Sequence, residues 1–141
     1  MIDYVIYTDG SCRANKVGGL GIVWLKNGKK VLEYSKRYEN VTNNIMELKA
    51  IGIALKSIKK PIDSLTIVSD SEYALGCIFN PTWNPKKNRE LIKAIKKELD
   101  RVKTLTKVDY KHVYGHQKQG SIDMIWNNYV DKLAQKESSY E

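Results

Sequence analysis

The chain has 141 residues, 42% of them hydrophobic, with nine tyrosines and three tryptophans. This composition excludes an intrinsically disordered chain, and the length suits a single domain, residues 1–141, with a buried core. No apolar run approaches the roughly 20 residues of a membrane span, and the N-terminus has no basic region typical of a signal peptide. Cys12 and Cys77 could pair, but they belong to no CxxC motif, so we expect a reducing, cytoplasmic compartment.

The net charge of +8 favours a polyanionic partner, although a solvated charged surface would give the same total. The excess is concentrated in residues 86–107, which contain nine basic residues and only three acids. A local excess of this kind is typical of a surface that contacts phosphates.

The first half of the chain predicts strands and then a helix. Residues 2–8 are β-branched and aromatic, and two further extended runs flank Asn27-Gly28, a strong hairpin signal. Apolar residues recur with helical spacing over 43–59, and Pro61 follows. The segment 64–69 is a short apolar strand.

In the second half, Ser71 is a candidate cap for a helix that ends near Phe79. A proline-rich break precedes a basic helix over 87–103, then a strand over 107–114 and a last helix over 126–136. The order β-β-β-α-β-α-α-β-α predicts an α/β fold. Its five-stranded mixed sheet would have three antiparallel strands, then two parallel additions, with helices on its faces.

Three acids are expected near one edge of this sheet. Asp9 ends the first predicted strand, Asp70 ends the fourth, and Glu47 lies on the inward side of the first helix. Each has a structural alternative, because Asp9 suits a turn, Asp70 a helix cap, and Glu47 a cap or a buried partner of a lysine. Together, three clustered carboxylates would repel one another unless a cation neutralised them.

Mg²⁺ suits such a cluster because it takes oxygen ligands and accepts phosphate oxygens in its open positions. Two such ions about 4 Å apart could activate a water and stabilise the leaving oxygen of a phosphoryl displacement. Zinc fits less well, since the only histidines are His112 and His116 and no HExxH motif is present.

Asp131, beside the apolar stripe of the last helix, is the candidate fourth ligand or else a solvated acid. Asp123 is its rival, but we expect it in a loop.

Six motifs occur in order along nearly the whole chain: YTDGSC, GGLGIVW, TNNIMELKA, SDSEYA, VYGH and WNNYVDKLA. In these motifs the sequence resembles type 1 ribonuclease H. The resemblance implies a ribonuclease H-like fold and sequence-nonspecific hydrolysis of the RNA strand of RNA/DNA hybrids, giving 5′-phosphate and 3′-hydroxyl ends. It also implies a monomer with two Mg²⁺ ions as cofactors, for which Mn²⁺ could substitute.

The resemblance assigns roles residue by residue. It implies that four acids bind metal and are catalytic: Asp9, Glu47, Asp70 and Asp131. It implies that His116 helps with the attacking water or with product release, whereas we expect His112 to pack or face solvent. Positions that match substrate contacts are Ser11, Cys12, Asn15, Thr42, Asn43 and Asn44, although Asn43 and Asn44 could also be helix caps.

The chain departs from the family pattern at three places. Glu72 follows Asp70-Ser71 where better-known members often carry glutamine, and the loop between His116 and Asp131 is longer than usual. The segment before the basic helix is too short for the extra basic helix of some members, so Trp83 is either a sugar-stacking platform or a loop anchor. Two other functions stay open: another nuclease or strand-transfer enzyme of this fold, and a non-catalytic hybrid-binding module.

Overall fold

The computed structural model describes residues 1–114 and 120–139. The strands are β1 (Asp3–Cys12), β2 (Gly18–Lys26), β3 (Lys29–Tyr38), β4 (Ser64–Ser69) and β5 (Lys107–His112). The helices are α1 (Asn43–Lys56), α2 (Glu72–Phe79), α3 (Arg89–Lys103) and α4 (Ile122–Ser139). Over the described ranges, no helix has both the length and the apolar character needed to cross a membrane.

The five strands form one mixed sheet in the order β3-β2-β1-β4-β5. The first three pair antiparallel, β4 lies parallel to β1, and β5 lies parallel to β4. The predicted fold class and element order are therefore confirmed.

The strands β1 and β4 end at different levels, and this difference shapes one edge of the sheet. Pairing between them stops at Thr8 and Ser69, whereas β1 continues beside β2 as far as Cys12. The prediction that Asp9 ends the first strand is therefore wrong, because β2 offers β1 a longer partner than β4 does. Asp9 is nevertheless the first β1 residue beyond the parallel pairing, and Asp70 is the first residue after β4.

Side chains alternate between the two faces of the sheet, and different helices cover them. One face carries Ile6 and Ile22, which belong to the larger buried cluster with residues of α1, α2 and α3. The opposite face carries Tyr7 and Val23, which pack with Val130 of α4 in a second cluster. The period of two along β1 and β2 explains why neighbouring residues belong to different clusters.

Four helix ends differ from the sequence prediction, and for two of them the reason can be identified. The helix α1 ends at Lys56. The Arg101 guanidinium donates to the carbonyl oxygen of Leu55 in the last turn of α1 (3.3 Å) and to that of Ile58 just beyond the helix (2.9 Å). The helix α4 begins at Ile122 and not at Trp126, because the Ser121 hydroxyl accepts a hydrogen bond from the Met124 amide at 3.1 Å. Long-range and capping contacts thus set boundaries that periodicity alone misplaces.

The close approach of α4 to β2 depends on Gly21. A Cβ atom added there would lie 2.6 Å from the carbonyl oxygen of Val130, a backbone atom that cannot move independently of the helix. We expect Gly21→Ala to lower the free energy of unfolding by about 1–3 kcal/mol, because an inserted methyl group forces a backbone shift.

Urea titration would test this prediction, with Gly52→Ala as the matched control. The nearest atom to a Cβ on Gly52 is the Ile95 side-chain Cγ1 at 3.1 Å, which can move more easily. An equal loss of stability in both variants would contradict the proposed close approach.

Candidate active site

Three of the predicted site carboxylates meet at the edge where β1 runs past β4. Asp9, Glu47 and Asp70 each offer one oxygen, and these three oxygens all lie within 4.8 Å of one another. They come from a strand, a helix and a strand end that are far apart in sequence, so only the tertiary fold brings them together.

Asp9 is buried and Glu47 and Asp70 are half-buried, which is unusual for acids. Asp9 is only 2% exposed, and both its Oδ2 atom and Glu47 Oε1 are buried without a hydrogen-bond partner in the described chain. Buried polar atoms normally have a partner, so these two oxygens indicate a role in binding a ligand. A hard divalent cation fits the donor set, because all the available atoms are carboxylate oxygens.

The electrostatics of the trio agree with this interpretation. Burial, followed by the charges of Glu47 and Asp70, raises the pKa of the Asp9 carboxyl well above its ordinary value, and Asp131 adds to the effect. Burial and then the charge of Asp70 likewise raise the pKa of Glu47. Without a cation, the site therefore disfavours full ionisation of its own carboxylates.

The structural alternatives for these acids do not hold. Asp9 lies within a strand and not in a turn, and Ser71, not Asp70, caps α2 by accepting from the Ala74 amide at 3.0 Å. Glu47 does not cap α1, because it lies in the second turn and the N-cap is Thr42. Its buried Oε1 has no lysine partner in the described chain.

Glu47 reaches the trio because the start of α1 lies directly against β1. A Cβ on Gly10 would lie 2.5 Å from the Glu47 backbone nitrogen, so any larger residue would push the helix away from the strand. The glycine that follows Asp9 is thus needed for the contact between two of the three acids.

Asp131 lies close to the trio but is not one of the three mutually close acids. It comes from α4 on the opposite face, its charge contributes to the raised pKa of Asp9, and it accepts a hydrogen bond from Gln135 Nε2 at 3.1 Å. Its neighbour Asn127, one turn earlier, is 5% exposed.

Asp123 is engaged elsewhere. It lies in the first turn of α4, which corrects the expectation of a loop position. Tyr7 Oη donates to its carboxylate at 2.5 Å, and Lys111 forms an ion pair with it. Burial alone would raise the pKa of Asp123, but the bonds from Lys111 and Tyr7 outweigh it and lower the pKa. Asp123 therefore ties α4 to β1 and β5.

The predicted substrate contacts other than Ser11 form a group beside the trio. The Cys12 thiol donates to the Val41 carbonyl at 3.2 Å, and the Val41 amide donates to the Lys16 carbonyl at 3.2 Å. These bonds join the β1–β2 loop to the start of α1. The exposed Asn15, whose Oδ1 accepts from the Val17 amide at 3.1 Å, belongs to the same loop.

At the start of α1, Thr42 is the helix cap, because its hydroxyl accepts from the Ile45 amide at 3.2 Å. Asn43 and Asn44 are exposed in the first turn and do not occupy the cap position. Ser11 faces α4, where its hydroxyl lies 3.2 Å from that of Ser138. Ser11 is therefore directed away from the group formed by Cys12, Asn15 and Thr42.

Two histidines complete the comparison with the sequence prediction. His116 lies outside the described residues, and its role stays a prediction. His112, for which packing or solvent exposure was expected, has its Nε2 3.1 Å from the Asp70 carbonyl oxygen. Only the register of β5 against β4 reveals that contact, and no local pattern indicates it.

Comparisons with known proteins agree with the geometry. The RNase H family profile matches residues 2–139. The chain belongs to the RNase H family. It is 36% identical to the ribonuclease H of Clostridium botulinum, with 92% of this chain and 91% of that protein covered. It is 38% identical to the ribonuclease H of a Thermoanaerobacter species, with 94% and 88% covered.

Solved structures share the fold. RNase H1 of Halobacterium salinarum has a TM-score of 0.74 at 20% identity, covering 96% of each chain. The N-terminal RNase H domain of a Mycobacterium tuberculosis protein has a TM-score of 0.76 at 19% identity, covering 98% of this chain and 94% of that one. The family match and the ribonuclease H relatives at 36% and 38% identity show that the protein is an RNase H enzyme. Its family membership supports cleavage of the RNA strand of RNA/DNA hybrids.

The raised pKa of Asp9 predicts a pH-dependent cost to folding. When metal is absent, folded Asp9 holds its proton at pH values where the unfolded chain has lost it, so the free energy of unfolding falls as pH rises above about 4. We expect the free energy of unfolding of Asp9→Asn to fall less steeply with pH, because only the raised pKa of Glu47 then contributes.

Urea titrations in a chelator between about pH 4 and pH 7 would measure the difference. Asp109→Asn, which removes an exposed acid of β5, is the control for a simple change of net charge. Parallel stability curves for wild type and Asp9→Asn would contradict the prediction. Added Mg²⁺ should stabilise the wild type more than Asp9→Asn.

Proposed function

We propose that the chain is a single catalytic domain, residues 1–141, which acts as a monomer on RNA/DNA hybrids. It would hydrolyse the RNA strand endonucleolytically and without sequence preference, leaving 5′-phosphate and 3′-hydroxyl ends. The observation that supports this most strongly is the trio of Asp9, Glu47 and Asp70 with its two buried, unpartnered oxygens. A module that only bound phosphates would gain nothing from acids at its centre, because like charges repel the ligand.

The proposed ligands of two Mg²⁺ ions are the trio and Asp131, with Mn²⁺ as a substitute. When bound, two such ions would activate a water and stabilise the leaving oxygen of the phosphodiester. The protein residues hold the carboxylates in place before substrate arrives: β1 and β4 position Asp9 and Asp70, and the contact at Gly10 positions Glu47. His116 is proposed to assist the attacking water or product release.

Substrate recognition is proposed for the group beside the trio, which is Cys12, Asn15, Thr42, Asn43 and Asn44, and for Ser11, which lies apart from that group and faces α4. Small polar side chains and backbone groups can bond to 2′-hydroxyls and sugar atoms without reading base edges. The exposed positions of Asn15, Asn43 and Asn44 support contact with a long duplex that lies across the surface.

Replacing Asp70 with asparagine should remove activity but preserve the fold. Asp70→Asn keeps the shape of the side chain and removes one carboxylate of the trio. We expect kcat on a labelled hybrid in Mg²⁺ to fall by at least about 100-fold, since metal-ion catalysis supplies several kcal/mol. Circular dichroism would check folding, and Asp109→Asn should cleave like the wild type. Substantial cleavage by folded Asp70→Asn would refute the metal role.

A comparison of four substrates would distinguish this function from that of another nuclease of the same fold. The wild type should cleave the RNA strand of a hybrid and leave duplex DNA, duplex RNA and single strands largely intact. Equal cleavage of duplex DNA would refute the proposed substrate. Labelling either end of the RNA would identify the terminal groups of the products.

The first turn of α1 offers a test that separates substrate binding from stability. Asn44→Ala should raise KM for the hybrid about 3-fold to 10-fold with unchanged stability, because it removes one exposed polar contact worth about 1 kcal/mol. Thr42→Ala should lower the free energy of unfolding by about 1 kcal/mol, because it removes the helix cap. Steady-state kinetics and urea titration of both variants would measure this. An unchanged KM for Asn44→Ala would count against the proposed contact.

A further inference from the structure

His112 is the last residue of β5 and pairs with Ser69, the last residue of β4. This register places its ring beside the first residue after β4, which is Asp70. The distance from His112 Nε2 to the Asp70 carbonyl oxygen is 3.1 Å. A carbonyl oxygen can only accept, so Nε2 carries a proton and donates to it.

The Asp70 carbonyl is the first one beyond the β4–β5 ladder. The preceding carbonyl, that of Ser69, accepts from the Val113 amide at 3.0 Å, and the register then ends. The His112 ring therefore extends the β4–β5 hydrogen bonds by one residue. Its Nε2–H takes the place that a backbone amide of β5 would have in the ladder. The next amide, that of Ser71, donates to the Ser69 hydroxyl at 3.0 Å. Hydrogen bonds thus hold both the carbonyl and the amide of the peptide group between Asp70 and Ser71.

The ring of His112 is itself held in place. Tyr114 contacts it edge-on, with ring centroids 4.4 Å apart and planes at 73°. Aromatic pairs favour this geometry, so the contact limits rotation of the imidazole. Because rotation of the ring is already limited, its hydrogen bond to the Asp70 carbonyl costs little side-chain entropy.

We propose that His112 is a positioning residue for Asp70. By fixing the peptide group that leaves β4, it sets the direction in which the Asp70 carboxylate projects toward Asp9 and Glu47. This inference rests on the proposed metal role of Asp70. Groups that orient metal ligands typically change metal affinity or activity about 10-fold to 100-fold when they are removed.

A matched pair of variants isolates the hydrogen bond. Glutamine and methionine have similar length and shape, but only glutamine places an N–H donor near the position of Nε2. We expect His112→Met to weaken Mn²⁺ binding, measured by calorimetry, and to lower kcat on a hybrid, each by about 10-fold. His112→Gln should stay within about 3-fold of the wild type in both measurements.

The outcomes separate a positioning role from a structural one. If His112 only stabilises the turn after β4, the methionine variant will lose thermal stability but keep its Mn²⁺ affinity at a temperature where it is folded. That result, or equal affinities for both variants, would overturn the proposal. NMR of the ¹⁵N-labelled wild type is a further test that does not depend on whether the variants fold. Nε2 of His112 should carry the proton, and a proton on Nδ1 alone would overturn the assignment.

Asp70→Asn, measured alongside, separates failure of this inference from failure of the proposed function. If Asp70→Asn binds Mn²⁺ as tightly as the wild type, the metal role itself is wrong. If Asp70→Asn loses Mn²⁺ binding while His112→Met keeps it, the metal role stands and only the positioning role fails.

Discussion

Burial and mutual repulsion of the carboxyl groups of Asp9, Glu47 and Asp70 are together the constraint around which the rest of this structure is arranged. Three acids with oxygens within 4.8 Å of one another, two of them with buried unpartnered atoms, oppose folding when no cation is present. Elsewhere the protein must supply the free energy that offsets this cost. The two buried clusters on either side of the sheet do so, and both include residues of β1, β2 and β4.

The unequal ends of β1 and β4 explain how acids from both faces can meet. Where β4 stops and β1 continues, the sheet is open on one side of β1. Glu47 approaches from the face covered by α1, and Asp131 approaches from the face covered by α4. If β4 were extended by several residues, its backbone would separate these two sides. The early end of β4 is therefore as necessary to the site as the acids themselves.

The element order, the sheet and the three clustered acids could be predicted because each depends on local periodicity or on a strand-end rule. Glu47 was recognisable because an acid on the apolar face of a helix conflicts with its surroundings. Asp123 and His112 could not be placed, because their contacts with Tyr7 and Asp70 join residues 116 and 42 positions apart. The full extent of β1 was also hidden, since the length of a strand depends on its partner and not only on its own residues.

The basic helix α3 shows why net charge alone does not locate a binding surface. Arg89, Lys93, Lys97 and Arg101 recur every four residues and so share one side of the helix. Arg101 at the end of this row is engaged with Glu98 and with the carbonyl oxygens at the end of α1. Its charge holds two helices together, whereas the other three side chains are exposed. The exposed basic residues of α3 left for phosphate contacts are Arg89, Lys93, Lys97 and Lys103, and the first three lie in the part that follows the loop containing Trp83. Trp83 itself rests on Gly76, where a Cβ would lie 2.3 Å from its ring, so this loop is anchored to α2. A duplex that touched α3 would meet a fixed row of charges and not a flexible arm, which favours contacts to evenly spaced phosphates over contacts to base edges.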